Sequence, residues 1–285
     1  MSWREAGEDL GVAVEVHGDG PPILLVHGYG ASRHSFREWV PELARSHRVI
    51  LVDLTGFGSA PKPVGSGYSP LDLARPVVDL VLRLDLRDLT LLGHSLGGGV
   101  VLAAALRLLD AGELGRMRGL VAVAGAAYRQ RLPPFAALAR WPLLCRLGLS
   151  TIPTGWLVRR VLQSVVYDPR SVDDDQVEGY AAPLRSAAAR RVLVASARQL
   201  VPPDLDRLTA RYAELDLPAL LLWGRRDPVV PLAVGERLAR DLPRARLVVL
   251  DRCGHLPAEE RPRESLFALE GFLAGLSRNH TWPGG

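Results

Sequence analysis

Three features of the 285-residue sequence predict an α/β fold, a mostly parallel central sheet flanked by helices with an all-helical insertion. Short apolar runs alternate with longer helical runs along residues 1–127 and again over 213–285, the rhythm of strands and crossover helices. Between them, over residues 128–212, the rhythm stops and prolines separate short helical stretches. A Gly-x-Ser-x-Gly pattern, Gly93-His94-Ser95-Leu96-Gly97, stands between one apolar run and a long Ala/Leu/Val run. Strand, turn and helix in that order are the context of a serine held on a strained turn.

The elements follow in order. Leu10 to His17 alternates, with Val12, Val14 and Val16 on one side, as an edge strand does. Gly18-Asp19-Gly20-Pro21-Pro22 is a turn, and Ile23-Leu24-Leu25-Val26 is apolar on both faces, as a central parallel strand requires. Ser32 to Arg45 has helical spacing (Phe36, Trp39, Val40, Leu43). Val49 to Val52 is a buried strand closed by Asp53 and the loop Gly56-Phe57-Gly58. Ser69-Pro70 initiates an amphipathic helix over 71–84. The strand 89–93, the helix 96–109 and the strand 120–123 come next. Beyond the insertion are a strand at 217–224, a helix at 231–241, a strand at 246–250 and a last helix at 262–276. The insertion follows a strand at the end where open α/β sheets bind ligands, so it is placed to cover a site.

Composition narrows the classes. At 48% hydrophobic the chain has ample material for a core. The formal net charge is +4, Lys62 is the only lysine, and the arginines are dispersed among acids. That is a solvated mixed surface and not the clustered footprint of a nucleic-acid binder. Cys145 and Cys253 have neither disulfide nor metal-ligand spacing. The first residues are polar and acidic, without a basic segment leading into an apolar core, and no apolar run reaches the roughly 18 residues that span a bilayer. A cytoplasmic chain without membrane insertion is expected. The sequon at Asn279-His280-Thr281 then reads as accidental, and Trp282 to Gly285 as a frayed end.

A serine hydroxyl is a poor nucleophile until a base takes its proton, and the base needs a third group to hold its tautomer. Of the seven histidines, only His255 follows a late strand, in Asp251-Arg252-Cys253-Gly254-His255. Asp227 stands after the penultimate strand, in Trp223-Gly224-Arg225-Arg226-Asp227-Pro228. The corresponding loop after 120–123, Ala124-Gly125-Ala126-Ala127, holds no acid. The chain order Ser95, Asp227, His255 is that of a known class of serine hydrolases. An oxyanion needs fixed N–H donors. Leu96, after the nucleophile, supplies one, and Tyr29, after the strand 23–26, supplies the second. No cofactor or metal is implied. Gly97-Gly98-Gly99 lacks a following phosphate-binding lysine and reads as close helix–sheet approach. Asp173-Asp174-Asp175 reads as a helix start. Cys253, without an elbow around it, reads as packing.

These motifs together resemble the α/β-hydrolase superfamily, in the serine-nucleophile, carboxylesterase-like branch with a helical cap. The resemblance rests on His27-Gly28-Tyr29-Gly30, Asp53-Leu54-Thr55-Gly56-Phe57-Gly58, Gly93 to Gly98, Trp223-Gly224-x-x-Asp227 and Gly254-His255, over residues of about 10 to 275. Thr55 and Ala60 depart from the family's frequent proline and Ser/Thr. The resemblance implies the same triad and the same two backbone donors. It also implies that serine, where relatives that open epoxides or displace halide carry aspartate, points to acyl transfer. The expected substrate is a small-molecule ester of a small to medium hydrophobic acyl group. Alternatives are a carbon–carbon hydrolase of ring-fission products with the same triad, or a non-catalytic small-molecule binder. The former needs cationic contacts, for which Arg190-Arg191 is available, although that pair reads first as a solvated helix face. Trp141 and Trp156, with Leu143, Leu144, Leu147 and Leu157, are expected to pack or line the cap and not to face lipid.

Overall fold

The computed structural model describes residues 3–65, 67–130 and 151–277. Its seven strands are β1 (Ala13–His17), β2 (Pro22–Val26), β3 (Arg48–Asp53), β4 (Leu89–His94), β5 (Met117–Val123), β6 (Ala219–Gly224) and β7 (Ala245–Leu250). They form one sheet in the order β1-β3-β2-β4-β5-β6-β7. β1 runs antiparallel to β3, and the other five pairs are parallel. β4 and β6 are buried along their whole length, whereas β1 at the edge is half-buried throughout. Period-two alternation divides β2 between two cores. Leu24 and Val26 face one side, and Ile23 and Leu25 the other.

Four helices precede the insertion: α1 (Trp3–Asp9), α2 (Val40–Leu43), α3 (Pro70–Arg83) and α4 (Leu96–Asp110). α5 (Thr154–Val165), α6 (Asp174–Leu184), α7 (Ala187–Ala197) and α8 (Leu205–Thr209) lie between β5 and β6, and α9 (Leu232–Asp241), α10 (Pro257–Glu260) and α11 (Pro262–Ser277) complete the chain. The larger core packs α3, α4 and part of α9 on one face of the sheet. α2 and α11 cover the other. A third apolar cluster joins α5 and α6 to Leu256, next to His255. Among the described residues no helix is long and apolar enough to cross a membrane.

Local chemistry explains most boundaries. α3 starts in a reciprocal box, with Ser69 Oγ accepting the Asp72 N–H and the Asp72 carboxylate accepting the Ser69 N–H, and Pro70 occupies the first helical position. The single helix predicted over Ser32 to Arg45 is instead a 3-10 turn, Arg33–Phe36, followed by the short α2. Pro41 brings no N–H to the ladder there, so the turns are separate, yet Phe36, Trp39 and Leu43 are all buried as their spacing required. α1 was not anticipated from its polar sequence; it buries Ala6 and Gly7.

Asp53 organises the loop after β3. One carboxylate oxygen accepts the Arg33 N–H at 2.7 Å. The other accepts the Ser59 N–H and hydroxyl at 2.9 Å each and the Arg33 guanidinium at 3.2 Å. Gly58 passes so close, at φ 51°, that a Cβ there would lie 2.2 Å from Asp53 Cγ. Thr55, one of the departures from the family pattern, donates to the Gly11 carbonyl, and Ala60 is buried. Asp53→Ala removes the acceptor of the Arg33 and Ser59 N–H groups and is expected to destabilise the fold by about 2–3 kcal/mol, read as a lower urea midpoint at an unchanged slope.

Candidate active site

The site is built upward from one backbone turn. β4 ends at His94, α4 begins at Leu96, and Ser95 between them sits at φ 54° and ψ −116°. An L-residue held there is strained and needs a surrounding that over-determines it. The Ser95 N–H donates to the Val123 carbonyl, and the Ser95 carbonyl accepts from Gly98 and Ala126, each at 2.9 Å. A Cβ on Gly93 would lie 2.1 Å from the Gly97 carbonyl oxygen, and one on Gly97 would lie 2.2 Å from that of Val26. The turn is sharp enough to exclude side chains at both positions.

His255 follows β7, and Asp227 follows β6. His255 Nε2 is 2.9 Å from Ser95 Oγ, and His255 Nδ1 is 2.8 Å from Asp227 Oδ2. The other Asp227 oxygen accepts the N–H groups of Val229 and Val230 at 2.8 and 2.9 Å, so the carboxylate is fixed from both sides. With Nδ1–H donated to the carboxylate, Nε2 is left as an acceptor facing the Ser95 hydroxyl. The loops carrying Asp227 and His255 cross at Gly224, where a Cβ would lie 2.0 Å from the Gly254 carbonyl oxygen.

Further groups, unmarked in the sequence reading, grip the His255 loop. His94 Nε2–H donates to the His255 carbonyl at 2.8 Å. The His255 N–H donates to the Val165 carbonyl, at the end of α5, at 2.9 Å. The Glu260 carboxylate accepts the N–H groups of Gly254 and Leu256, on either side of His255, at 2.9 Å, and that of Tyr167 at 2.6 Å. Next to it, buried Glu259 accepts from the Arg37 guanidinium at 2.5 Å, the Tyr180 hydroxyl at 2.5 Å and the Gln176 amide at 3.0 Å. Burial raises the Glu259 carboxyl above its ordinary range against the opposing pull of Arg37. The inserted helices are therefore bonded to the segment that carries the histidine.

Two buried imidazoles are held neutral. Burial, reinforced by the neighbouring His255, pushes His94 down to about 3. Burial also lowers His27, whose Nδ1–H donates to the Gly28 carbonyl at 2.8 Å and whose Nε2 accepts the Leu54 N–H at 3.1 Å. His27 thereby ties the loop 27–30 to the loop after β3. Gly28 packs against the elbow, where a Cβ would lie 3.1 Å from Ser95 Cβ. Tyr29 and Leu96 both line the cavity at Ser95. Leu96 opens α4, so its N–H has no partner within the helix, and the Tyr29 hydroxyl donates to the Leu193 carbonyl of α7 at 2.7 Å.

The cavity over Ser95 measures about 390 Å³, and its described walls are mostly apolar side chains from α4, α5, α7 and α8. Arg190 is half-buried on this wall while Arg191 is exposed, so only Arg191 keeps the solvated face expected of the pair. Leu157 lines the cavity, but Trp156 does not; it is half-exposed with the Arg160 guanidinium 5.3 Å over its ring. Trp141, Leu143, Leu144, Leu147, Cys145 and the segment from Asn279 to Gly285 lie outside the described residues. Cys253 is buried, and burial raises its thiol well above its ordinary value. Asp173 caps α6 by accepting the Gln176 N–H at 2.7 Å. Among the described residues no cluster of three or more His, Cys, Asp or Glu is placed to hold a metal.

The profile of the alpha/beta hydrolase fold matches residues 21–262, and the chain belongs to that family. It is 32% identical over 273 residues to the pimeloyl-[acyl-carrier protein] methyl ester esterase of Aeromonas hydrophila, covering 93% of this chain and all of the relative. It is 28% identical over 285 residues to the 2-hydroxymuconate semialdehyde hydrolase of Pseudomonas sp. strain CF600, covering 95% and 94% of the two chains. Among solved structures, an alpha/beta hydrolase fold protein from Burkholderia ambifaria aligns with a TM-score of 0.79 at 28% identity, over 90% of this chain and 93% of its own. The chain is a hydrolase of the α/β fold.

The neutral His94 sets a pH response. Below the ordinary imidazole value of 6.5 the unfolded ring takes up a proton, and the folded ring does not until about pH 3. The unfolded state binds more protons in that window, so stability falls as pH falls through it. The melting temperature is expected to drop between pH 6.5 and 4, and His94→Gln, which keeps a donor for the His255 carbonyl, is expected to show a shallower drop.

Proposed function

We propose that the protein is a serine hydrolase that cleaves carboxylic esters of small to medium hydrophobic acyl groups through an acyl-enzyme. The observation that carries this reading is the continuous hydrogen-bonded chain Ser95–His255–Asp227 opening onto an apolar cavity. Ser95 Oγ attacks the ester carbonyl while its proton passes to His255 Nε2. The Asp227 carboxylate, held by two N–H groups, orients the ring and stabilises the imidazolium. The N–H groups of Tyr29 and Leu96 receive the oxyanion. The imidazolium then gives its proton to the leaving alkoxide, and a water activated by the neutral ring releases the acid and regenerates Ser95. Residues 1–127 and 213–285 form the catalytic core in this reading, and 128–212 act as the cap over it. The esterase at 32% identity supports it.

Ser95→Ala is expected to lower kcat/KM on p-nitrophenyl butyrate by at least about 10⁴-fold in a variant that melts like the wild type, and Asp227→Asn by about 10³- to 10⁴-fold. Near-normal turnover by Ser95→Ala contradicts the assignment.

A carbon–carbon hydrolase using the same three residues is the second reading. Arg190 on the cavity wall favours it, since a guanidinium there suits a substrate with an acidic end, and the relative named for 2-hydroxymuconate semialdehyde supports it. Side-by-side turnover of a vinylogous diketo acid and of p-nitrophenyl esters separates the two. The ester reading predicts that the esters are the better substrates by kcat/KM, and a preference for the diketo acid reverses the choice.

A further inference from the structure

Beyond the nucleophile, α4 offers the cavity a row of small residues. Gly99 and Ala103, four apart on α4, share one face of the helix, and Ser95 stands four positions earlier, just before its first turn. All three line the cavity. Val100, Val101 and Leu102, on the other faces, are buried in the core and do not, and Ala103, itself a core residue, meets the cavity only at its edge. The row ends after Ala103. The next residue on it, Arg107, is exposed and donates to the Leu71 carbonyl.

Among the described residues, the distal end is walled by apolar and aromatic groups. Arg211 pairs with Asp110 at the carboxyl end of α4, at 2.6 Å, which seats the following residue, Tyr212, beside the far half of that helix. Tyr212 is buried, and its hydroxyl donates to the Ala127 carbonyl at 2.8 Å, so that polar tip is already satisfied. Its ring packs edge-to-face on Tyr128 at 5.7 Å. Leu205 and Leu208 of α8 complete this wall.

We infer that this groove holds the acyl chain of the substrate as an extended hydrocarbon and that Ala103 sets its length. The inference rests on the ester reading of Ser95 and adds the chemical class of the acyl group. The eight helical residues from Leu96 to Ala103 rise about 12 Å, the length of an extended chain of about eight to ten carbons. Gly99 presents only backbone to the middle of the floor, because the Ala126 carbonyl oxygen lies 2.8 Å from where its Cβ would sit, and Ala103, 1% exposed, stands where the floor ends. The preferred substrates are therefore esters of unbranched acids of about eight to ten carbons, and the alcohol leaves from the Ser95 end. Each further buried methylene raises kcat/KM by up to about four-fold until the groove is full.

The test is kcat/KM of the full chain on p-nitrophenyl acetate, butyrate, hexanoate, octanoate, decanoate and dodecanoate, all below their aggregation limits. The wild type should peak at octanoate or decanoate. Ala103→Leu should shift the peak by two to four carbons to shorter chains and lower the octanoate-to-butyrate ratio at least about ten-fold. Ala103→Val, a smaller intrusion, should lower it by less, and it keeps the test available if the leucine variant does not fold. Labelling of Ser95 by a serine-directed phosphonate reports an intact site in each variant. A wild-type peak at acetate or butyrate, or an unchanged ratio in a variant that still labels, overturns the inference and leaves the ester reading standing. Absence of turnover on every ester defeats the ester reading itself, and the inference with it.

Discussion

Everything in this molecule is arranged around one strained residue. Ser95 occupies a positive φ that costs free energy of about 1–3 kcal/mol and persists because its neighbours leave no alternative. Its N–H is bonded to Val123, the last residue of β5, and its carbonyl to Ala126 just beyond that strand and to Gly98, and glycines at 93 and 97 let backbone approach from two sides. The parallel sheet supplies the rigidity. β4 is central, buried along its length and flanked by β2 and β5, so the turn at its end cannot relax without disturbing three strands. That constraint lifts the hydroxyl clear of the sheet toward His255.

A second constraint acts on the imidazole beside Ser95. His255 lies in a loop, where position is ordinarily loose, yet its N–H, its carbonyl and both flanking N–H groups are bonded. Two of those contacts involve the inserted helices or the residues after them, through Val165 and through Tyr167 on Glu260. Movement of α5 would therefore be felt at the histidine. Glu259, bridging Arg37 to Tyr180 and Gln176, gives the same junction a second polar tie. The helices between β5 and β6 thus share hydrogen bonds with the loop that carries His255.

Much of this was legible in the sequence because its signals are local. Four consecutive apolar residues bounded by turn signals mark β2 and the centre of β3, and Gly-x-Ser-x-Gly between a strand and a helix marks the elbow. Asp227 and His255 were readable because each follows a strand directly, and the structure brings both to Ser95. Other features leave no local trace. Glu260 matters through backbone N–H groups, which every sequence possesses. His94 acts on a carbonyl 161 residues away. Arg190 and Arg191 are adjacent and chemically identical, and only packing separates the cavity wall from solvent. Ala103 looks like any small residue that lets a helix approach a sheet, and its second face becomes visible only once α8 and Tyr212 are in place. The helix expected over Ser32 to Arg45 had the right buried residues, but the effect of Pro41 on its continuity outweighed the spacing.

The central claim is that Ser95 is the nucleophile and that its reactivity comes from His255 and Asp227. It is tested most directly by mass spectrometry of the folded protein after incubation with a p-nitrophenyl alkylphosphonate. The account predicts one phosphonyl group per chain, located on the peptide containing Ser95, with labelling slowed by about 10³-fold or more in His255→Ala. No adduct, an adduct on another residue, or equal labelling rates with and without the imidazole would contradict it.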